Sequence, residues 1–364
     1  MKKRCVALLG RRDEPTDAVE EYCQYLGTAL EARGFSFEFE RVPWCELGWG
    51  EALAGIDRQA GRWKNDWILI QYTALAWSLR GFPVRLLGLV RCLRKYGARC
   101  GVVFHDAQAY FGSRLVDYVR RQVQIHTMRE AAKLADLAIL TTPREKAQWL
   151  PATAQNVVFI PVGANLPSPE TVWAEQSNGP DRPPTVAVFS LSPDRVGAEE
   201  VKSIVQGISY LAQRIGRIRL EVLGRNSENA EKLLRESLHG VDVELSLSGI
   251  LAAEEVVRVL GRCDVLLFAR GPISTRRGSA IAGIACGLPV VAAKGWETTP
   301  PITEAGVVLT EPGEQFGPSL VRVLGDPIYR ASLAERSRNA QRSYFSWQVI
   351  AAQYADALRA HERS

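Results

Sequence analysis

The chain has 364 residues, 46% of them hydrophobic and 23% charged, with a formal net charge of +5. That length is too great for one ordinary core and suits two domains of a soluble globular protein, and no window holds the roughly 18 consecutive apolar residues of a membrane span. Seven cysteines, an odd number with no C-x-x-C pair, argue against a disulfide framework or a zinc site, and the four histidines lie too far apart for a metal motif.

The start, Met1-Lys2-Lys3-Arg4, is basic, but its apolar run Cys5 to Leu9 is shorter than the roughly 7 to 15 residues of a signal-peptide core. It reads as a first strand, Arg4 to Gly10, and the protein is expected in the cytoplasm. The polar loop Gly10 to Asp17 then leads to a helix from about Ala18 to Ala32, capped by Asp17 or Thr16 and ended by Arg33-Gly34. Phe35 to Val42 alternates as a second strand, which completes a βαβ opening. No G-x-G-x-x-G occurs, which argues against a dinucleotide fingerprint.

Trp67 to Tyr72 (WILIQY) and the run to Phe104 are further strand candidates, the latter ending at His105-Asp106. Active-site residues of open α/β sheets gather past the carboxyl ends of strands, so His105 and Asp106 are candidates; a lone histidine can equally be structural. A neutral imidazole there would hydrogen-bond a reacting centre, with Asp106 able to fix its tautomer. Between these strands Val84 to Lys95 is helical in period, with Leu86, Leu87, Val90 and Leu93 on one side and Arg91 and Lys95 on another. A second basic helix, about Ser113 to Ala135, carries Arg114, Arg120, Arg121 and Arg129. Both suit peripheral contact with an anionic membrane face, and both equally suit sheet-covering helices with a solvated side. The charge is uneven: residues 1–160 hold 23 Lys and Arg against 17 Asp and Glu, while the rest is balanced. A basic first half fits an acidic acceptor or an anionic lipid surface; nucleic acid is not an expected partner.

Leu134 to Thr142 is expected to end the first sheet, and the Pro- and Ser-bearing stretch from Leu166 to Pro184 reads as a connection. A second alternation begins at Thr185 to Ser190 and runs through a helix from about Ala198 to Arg214, the strand Ile218 to Gly224, Arg225, and the segments up to Phe268. Such a rhythm gives a parallel sheet with helices on both sides. After Phe268 comes a loop with Gly271, Pro272, Gly278 and the adjacent Arg276 and Arg277, from which Ser279 opens a small-residue helix stopped by Gly287 and Pro289. Strand, loop and helix N-terminus with two guanidinium groups make a diphosphate cradle; an exposed basic loop is the plainer alternative. The tail from about Ser332 to His361 reads as helical, with Trp347, Ile350 and Tyr354 on one side.

The stretch Ala285-Cys286-Gly287-Leu288-Pro289-Val290-Val291 resembles the A-x-G-x-P-V-[VI] segment in the donor-binding domain of GT-B glycosyltransferases, particularly glycosyltransferase family 4. Ile160 to Asn165 resembles the interdomain link of those enzymes, Arg262 to Leu267 the strand before the donor loop, and Tyr344-Phe345-Ser346-Trp347 the segment before the C-terminal helix. The resemblance implies two Rossmann-like, doubly wound α/β domains facing across a cleft: 1–165 on the acceptor side, a link at 166–184, a nucleotide-sugar domain at 185–343, and a C-terminal helix at 344–364 crossing back to the first. It also implies retaining sugar transfer from a nucleotide-diphospho sugar, a co-substrate with no other cofactor, and no metal is expected because no carboxylate pair of metal-binding form lies near the donor loop. The expected donor-binding residues are Arg195, Arg225, Ser274, Arg276, Arg277, Gly278 and Ser279. His105 and Asp106 would be catalytic, and Arg11, Arg12, Asp13, Glu14 and Asp17 would meet the acceptor.

Two departures stand out. The arginine and lysine expected in the loop after the first strand of the second domain are replaced, with Arg195 at the lysine's place and Leu191 or Ser190 at the arginine's. The two family glutamates are absent, with Ser274 and Ala282 in their positions. A rebuilt phosphate site using the two arginines, a donor of different shape, or a protein that binds without turnover would each account for this. Glu297, Thr298, Thr299 and Glu304 are candidates to replace the lost contacts. A noncatalytic nucleotide- or glycan-binding relative and a nucleotide-sugar epimerase are the alternatives to transfer.

Overall fold

A computed structural model describes residues 2–106, 108–173 and 182–362. They form two compact units, 1–161 with 347–364, and 162–346. Of the predicted link, 174–181 lie outside the described residues. Its described part packs on the second unit, where Trp173 donates from Nε1 to the carbonyl of Ala285 at 2.9 Å.

The first unit is built on β1 (Lys3–Leu9), β2 (Phe35–Arg41), β3 (Trp67–Tyr72), β4 (Arg99–Phe104), β5 (Leu137–Leu140) and β6 (Val157–Phe159), all parallel in the order β2-β1-β3-β4-β5-β6. Every residue of β3 is buried, as a strand covered on both faces requires. The sheet extends one strand beyond the expected last one, because β6 adds to the edge of β5. α1 (Ala18–Glu31) starts where expected, with Asp17 accepting from the amides of Val19 and Glu20 at 3.1 Å each. α2 (Trp44–Gln59) follows β2 and is broken by a non-helical Gly48. In α3 (Leu86–Lys95) the apolar side at Leu86, Leu87, Val90 and Leu93 is buried against the sheet, so this helix shows solvent only its charged side. α4 is Leu115–Leu134.

The second unit has β7 (Thr185–Phe189), β8 (Ile218–Leu223), β9 (Val243–Gly249), β10 (Val265–Phe268), β11 (Val290–Ala293) and β12 (Val307–Thr310) in the parallel order β12-β11-β10-β7-β8-β9. The covering helices are α5 (Asp194–Ile215), α6 (Ser227–Ser237), α7 (Ala253–Gly261), α8 (Gly278–Ala285), α9 (Gly317–Gly325) and α10 (Pro327–Ala340). α8 is buried throughout from Ala280 to Ala285, and its small side chains let it lie close on β10. α5 begins a full turn before its expected start, at Asp194.

The tail is not one helix. α10 ends in a π-helical turn, Gln341–Phe345, Ser346 is extended, and α11 (Trp347–Ala360) begins after it. α11 belongs to the first unit. There Tyr22 and Tyr354 meet hydroxyl to hydroxyl at 2.8 Å, and Trp347 stacks on Tyr25. Among the described residues no helix is long and apolar enough to cross a membrane.

Candidate functional site

Each sheet has one place where the chain leaves neighbouring strands in opposite directions, and in open parallel sheets ligands bind outside the carboxyl ends of those strands. In the first unit this switch lies between β1 and β3. In the second it lies between β7 and β10.

At the first switch a cavity of about 220 Å³ is lined by Arg11, Asp13, Asp17, Arg41, Gln71 and Asp106, among others. Its floor depends on Gly10, where a Cβ would come within 2.2 Å of the carbonyl oxygen of Ala76. That carbonyl accepts from the amide of Arg11 at 2.7 Å and from Trp44 Nε1 at 3.0 Å, so the loop after β1 is clamped to the turn after β3. Asp17 is largely occupied: besides capping α1 it accepts from the amide of Asp13 and pairs with Arg41 at 3.2 Å. Arg41 also reaches Glu20 and donates to the carbonyl of Gly10 at 2.7 Å. Of the five expected acceptor residues, Arg11, Asp13 and Asp17 line the cavity, while Arg12 and Glu14 are exposed outside its lining. Arg11 keeps its Nε buried without a hydrogen-bond partner.

Asp106 lines the same cavity and accepts from the amide of Ala74 at 2.7 Å. His105, next to it, sits behind the lining. Its Nε2 is 2.8 Å from Gln71 Oε1, and its ring meets Tyr22 edge-on with centroids 5.2 Å apart. Gln71 donates from Nε2 to the carbonyl of Leu69, so its Oε1 faces the histidine and the imidazole proton belongs on Nε2. Burial pushes the His105 pKa down to about 4, against a smaller opposing pull from Asp17, which keeps the ring neutral at pH 7. Gln71 is absent from the expected site; nothing in WILIQY distinguishes a glutamine that orients a histidine from one that merely interrupts a strand.

At the second switch the loop from β10 to α8 is pinned along its length. Ile273 donates its amide to Ala293 at 3.0 Å, and Thr298 Oγ1 donates to the carbonyl of Ile273 at 2.7 Å while accepting from the amide of Gly295 at 2.9 Å. Gly295 permits this approach, since a Cβ there would lie 2.4 Å from the ring of Pro272. The loops after β7 and β8 are joined similarly, with Leu191 donating to Arg225 at 2.9 Å and Asn226 Nδ2 donating to Leu191 at 2.8 Å.

On this scaffold the two adjacent arginines separate. Arg276 is held by Glu297 in a two-pronged pair, Nε to Oε2 at 2.7 Å and a terminal nitrogen to Oε1 at 3.3 Å. Arg277 is half-buried, and its Nε is buried with no hydrogen-bond partner. Burial first, and repulsion from Arg276 and Arg270 with it, pulls the Arg277 guanidinium down to about 10. Arg270, which no motif singled out, shares this condition: its Nε is buried without a hydrogen-bond partner, and burial and the nearby Arg225 lower its pKa. The carboxylates acting on this cluster are Glu200 and Glu297. Glu200 is itself buried and accepts from Ser192 through the amide at 2.7 Å and the hydroxyl at 2.6 Å. Four arginines against two acids leave the site electropositive.

Among the other expected donor residues, Ser274 is buried with its hydroxyl lacking a hydrogen-bond partner, Gly278 and Ser279 open α8, and Arg195 is exposed on the first turn of α5. Ala282, at the other lost-glutamate position, is buried. Thr299 has a buried hydroxyl without a partner. Among the described residues no group of three or more His, Cys, Asp or Glu is placed to hold a metal ion.

No family model and no curated protein sequence matches the chain. Solved structures do. Sucrose-phosphate synthase from Thermosynechococcus elongatus is similar over 100% of both chains, with 18% identity and a TM-score of 0.72. HepE from Anabaena, solved with UDP and glucose, is similar over 99% of this chain and 100% of its own, with 18% identity and a TM-score of 0.66. A putative UDP-N-acetylglucosamine 2-epimerase from Listeria monocytogenes is similar over 100% of this chain and 97% of its own, with 12% identity and a TM-score of 0.62. Two parallel six-stranded sheets with alternating helices, matched end to end by these structures, give the chain the GT-B fold.

Proposed function

We propose that the chain is a glycosyltransferase, related to family 4, that moves a hexosyl group from a nucleotide-diphospho sugar to an acceptor with retention of configuration. The observation that carries this reading is the pair Arg270 and Arg277, two half-buried guanidinium groups whose Nε–H donors have no hydrogen-bond partner at the switch point of the second unit. A buried donor without an acceptor is costly, and a diphosphate supplies both acceptors and countercharge. When the bond from the sugar's C1 to the phosphate oxygen breaks, the electron pair leaves on the nucleoside diphosphate. The acceptor oxygen bonds C1, and its proton passes to the departing phosphate or to solvent. Cations fixed in advance around the leaving oxygen lower that barrier. Arg225, Ser274 and the Gly278 and Ser279 amides complete the donor site in this reading, with Arg195 at its edge, and Arg276 is aligned by Glu297. Asp106, in the cavity lining, and the neutral His105 behind it are the catalytic candidates of this reading, and Arg11, Asp13 and Asp17 meet the acceptor. The nucleotide sugar is a co-substrate, and the proposal assigns no resident cofactor and a cytoplasmic location.

Incubation of the full chain with a panel of UDP-, GDP- and dTDP-sugars tests it. Release of nucleoside diphosphate by the parent chain, slowed by roughly 10² to 10³ in Arg277→Ala, supports transfer chemistry. Sugar conversion without nucleotide release would replace the reading with epimerisation, which the Listeria neighbour favours. Nucleotide binding with no turnover of any sugar would leave a binding protein, as the absence of both glutamates suggests.

A further inference from the structure

The first two turns of α4 are inside out. Leu115, Val116, Tyr118 and Val119 face solvent, Leu115 at 89% exposure and Tyr118 at 63%, while Asp117 and Gln124 are buried. A sheet-covering helix normally does the reverse. The buried side is a closed polar network. Asp117 accepts from the amide of Arg114 at 3.1 Å and pairs with Arg120 at 2.5 Å. Arg120 donates from Nε to the carbonyl of Arg80 at 2.9 Å and lies over the rings of Phe82 and Tyr110. Gln124 accepts from the amide of Tyr110 at 2.6 Å and donates to the carbonyl of Gly81 at 2.9 Å. Rolling α4 to hide Leu115 would break all of these bonds, so the apolar face is fixed outward and joined to the loop carrying Leu79 and Arg80.

Phe111, 79% exposed, continues the face, with the Arg121 guanidinium 5.2 Å above its ring. Phe111, Arg114, Leu115, Tyr118 and Arg121 line a shallow cavity of about 340 Å³. Beside these tips Arg114 and Arg80, whose carbonyl Arg120 holds, are exposed. Residues 74–105 contain no acid, and 107–125 contain only Asp117, which is buried and paired.

We infer that this face of the first unit docks on an anionic lipid bilayer, with Phe111, Leu115, Tyr118 and Val119 entering the headgroup and acyl boundary and Arg80, Arg114 and Arg121 at the phosphates. The sign of the charge selects the occupant: apolar tips ringed by arginines, with no exposed carboxylate between them, match a surface that is negative outside and hydrocarbon beneath. The inference goes beyond sugar transfer and stands or falls separately from it, because its readout is vesicle binding.

The test is flotation of the full chain with vesicles of phosphatidylcholine alone or with about a third phosphatidylglycerol, at low and high salt. Binding is expected on the anionic vesicles, weakening as salt screens the arginines. Arg114→Gln with Arg121→Gln lowers the partition coefficient roughly thirtyfold, about fivefold for each arginine. Phe111→Ser with Leu115→Ser, exposed positions whose variants should melt as the parent does, removes binding at all salt concentrations. No flotation of the parent on anionic vesicles at low salt overturns the inference, as does parent-like flotation of the Phe111/Leu115 variant. A concentration-dependent dimer in solution that disappears in that variant also overturns it, assigning the face to a second copy of the chain.

Discussion

Replacing Arg277 with methionine should make the protein more stable and its nucleotide binding worse. Burial and two neighbouring arginines hold the guanidinium pKa down at about 10. The sign follows from linkage: the unfolded chain keeps the ordinary, higher value, so the charged form is disfavoured in the native state at every pH below about 10, and the penalty is fully present at pH 7. At about 1.36 kcal/mol per pH unit, the depression corresponds to at most roughly 3 kcal/mol. Methionine keeps most of the stem's packing, removes the charge and leaves no orphaned donor, so a gain of about 1–2 kcal/mol is expected. In a unit of this size that raises the melting temperature by roughly 2–8 °C. Thermal melts with and without excess UDP read both effects: the variant melts higher than the parent alone, and loses the nucleotide-induced rise. A variant that melts lower than the parent while keeping the full UDP response would refute the reasoning, since Arg277 would then be an ordinary structural cation.

Arg276→Ala should differ in sign, because it strands the largely buried Glu297 carboxylate; a loss of about 1–3 kcal/mol is expected in melts, with partial recovery in Arg276→Ala/Glu297→Gln. The neutral His105 gives an acid sensitivity: the unfolded chain takes up a proton near pH 6.5 that the native state refuses until about 4, so stability falls as pH drops through that window. Urea titrations at pH 7 and 4.5 should show His105→Gln losing less stability than the parent, with a difference of up to roughly 3 kcal/mol. Gly10→Ala forces a Cβ against the Ala76 carbonyl and should cost about 1–3 kcal/mol, seen as a lower urea midpoint with unchanged slope. Tyr22→Phe and Tyr354→Phe each orphan a buried hydroxyl; each single change should cost about 1–2 kcal/mol, and the double change clearly less than their sum.

The strands were legible because parallel strands buried on both faces are near-continuous apolar runs, as at Trp67–Tyr72 and Val265–Phe268. Cap chemistry placed the start of α1 at about Ala18 with Asp17 or Thr16 before it, and Asp17 is the cap. The tail was harder: Trp347, Ile350 and Tyr354 keep a helical spacing that hides the interruption at Ser346, where the backbone is extended and the chain passes from one unit to the other. In α4 the basic helix was legible but the direction of its sides was not, because which side faces inward depends on Arg120 and Gln124 finding partners in a loop some forty residues earlier.

The basic site shows the same limit more sharply. Arg276 and Arg277 are chemically identical neighbours, and any argument from spacing treats them as one double charge. What separates them is the company each keeps after folding: a glutamate twenty-one positions later closes on Arg276, while Arg277 turns into a half-buried space already holding Arg270. Desolvation and repulsion are sums over residues from β7, β8, β10 and β11, so they exist only once the sheet order has brought those loops to one end of the unit. That is why Arg270, alone between a strand and a Gly-Pro turn, carries no signature in the sequence yet shares with Arg277 the one property expected of an anion-binding cation, a fixed positive charge whose donor has been left without an acceptor.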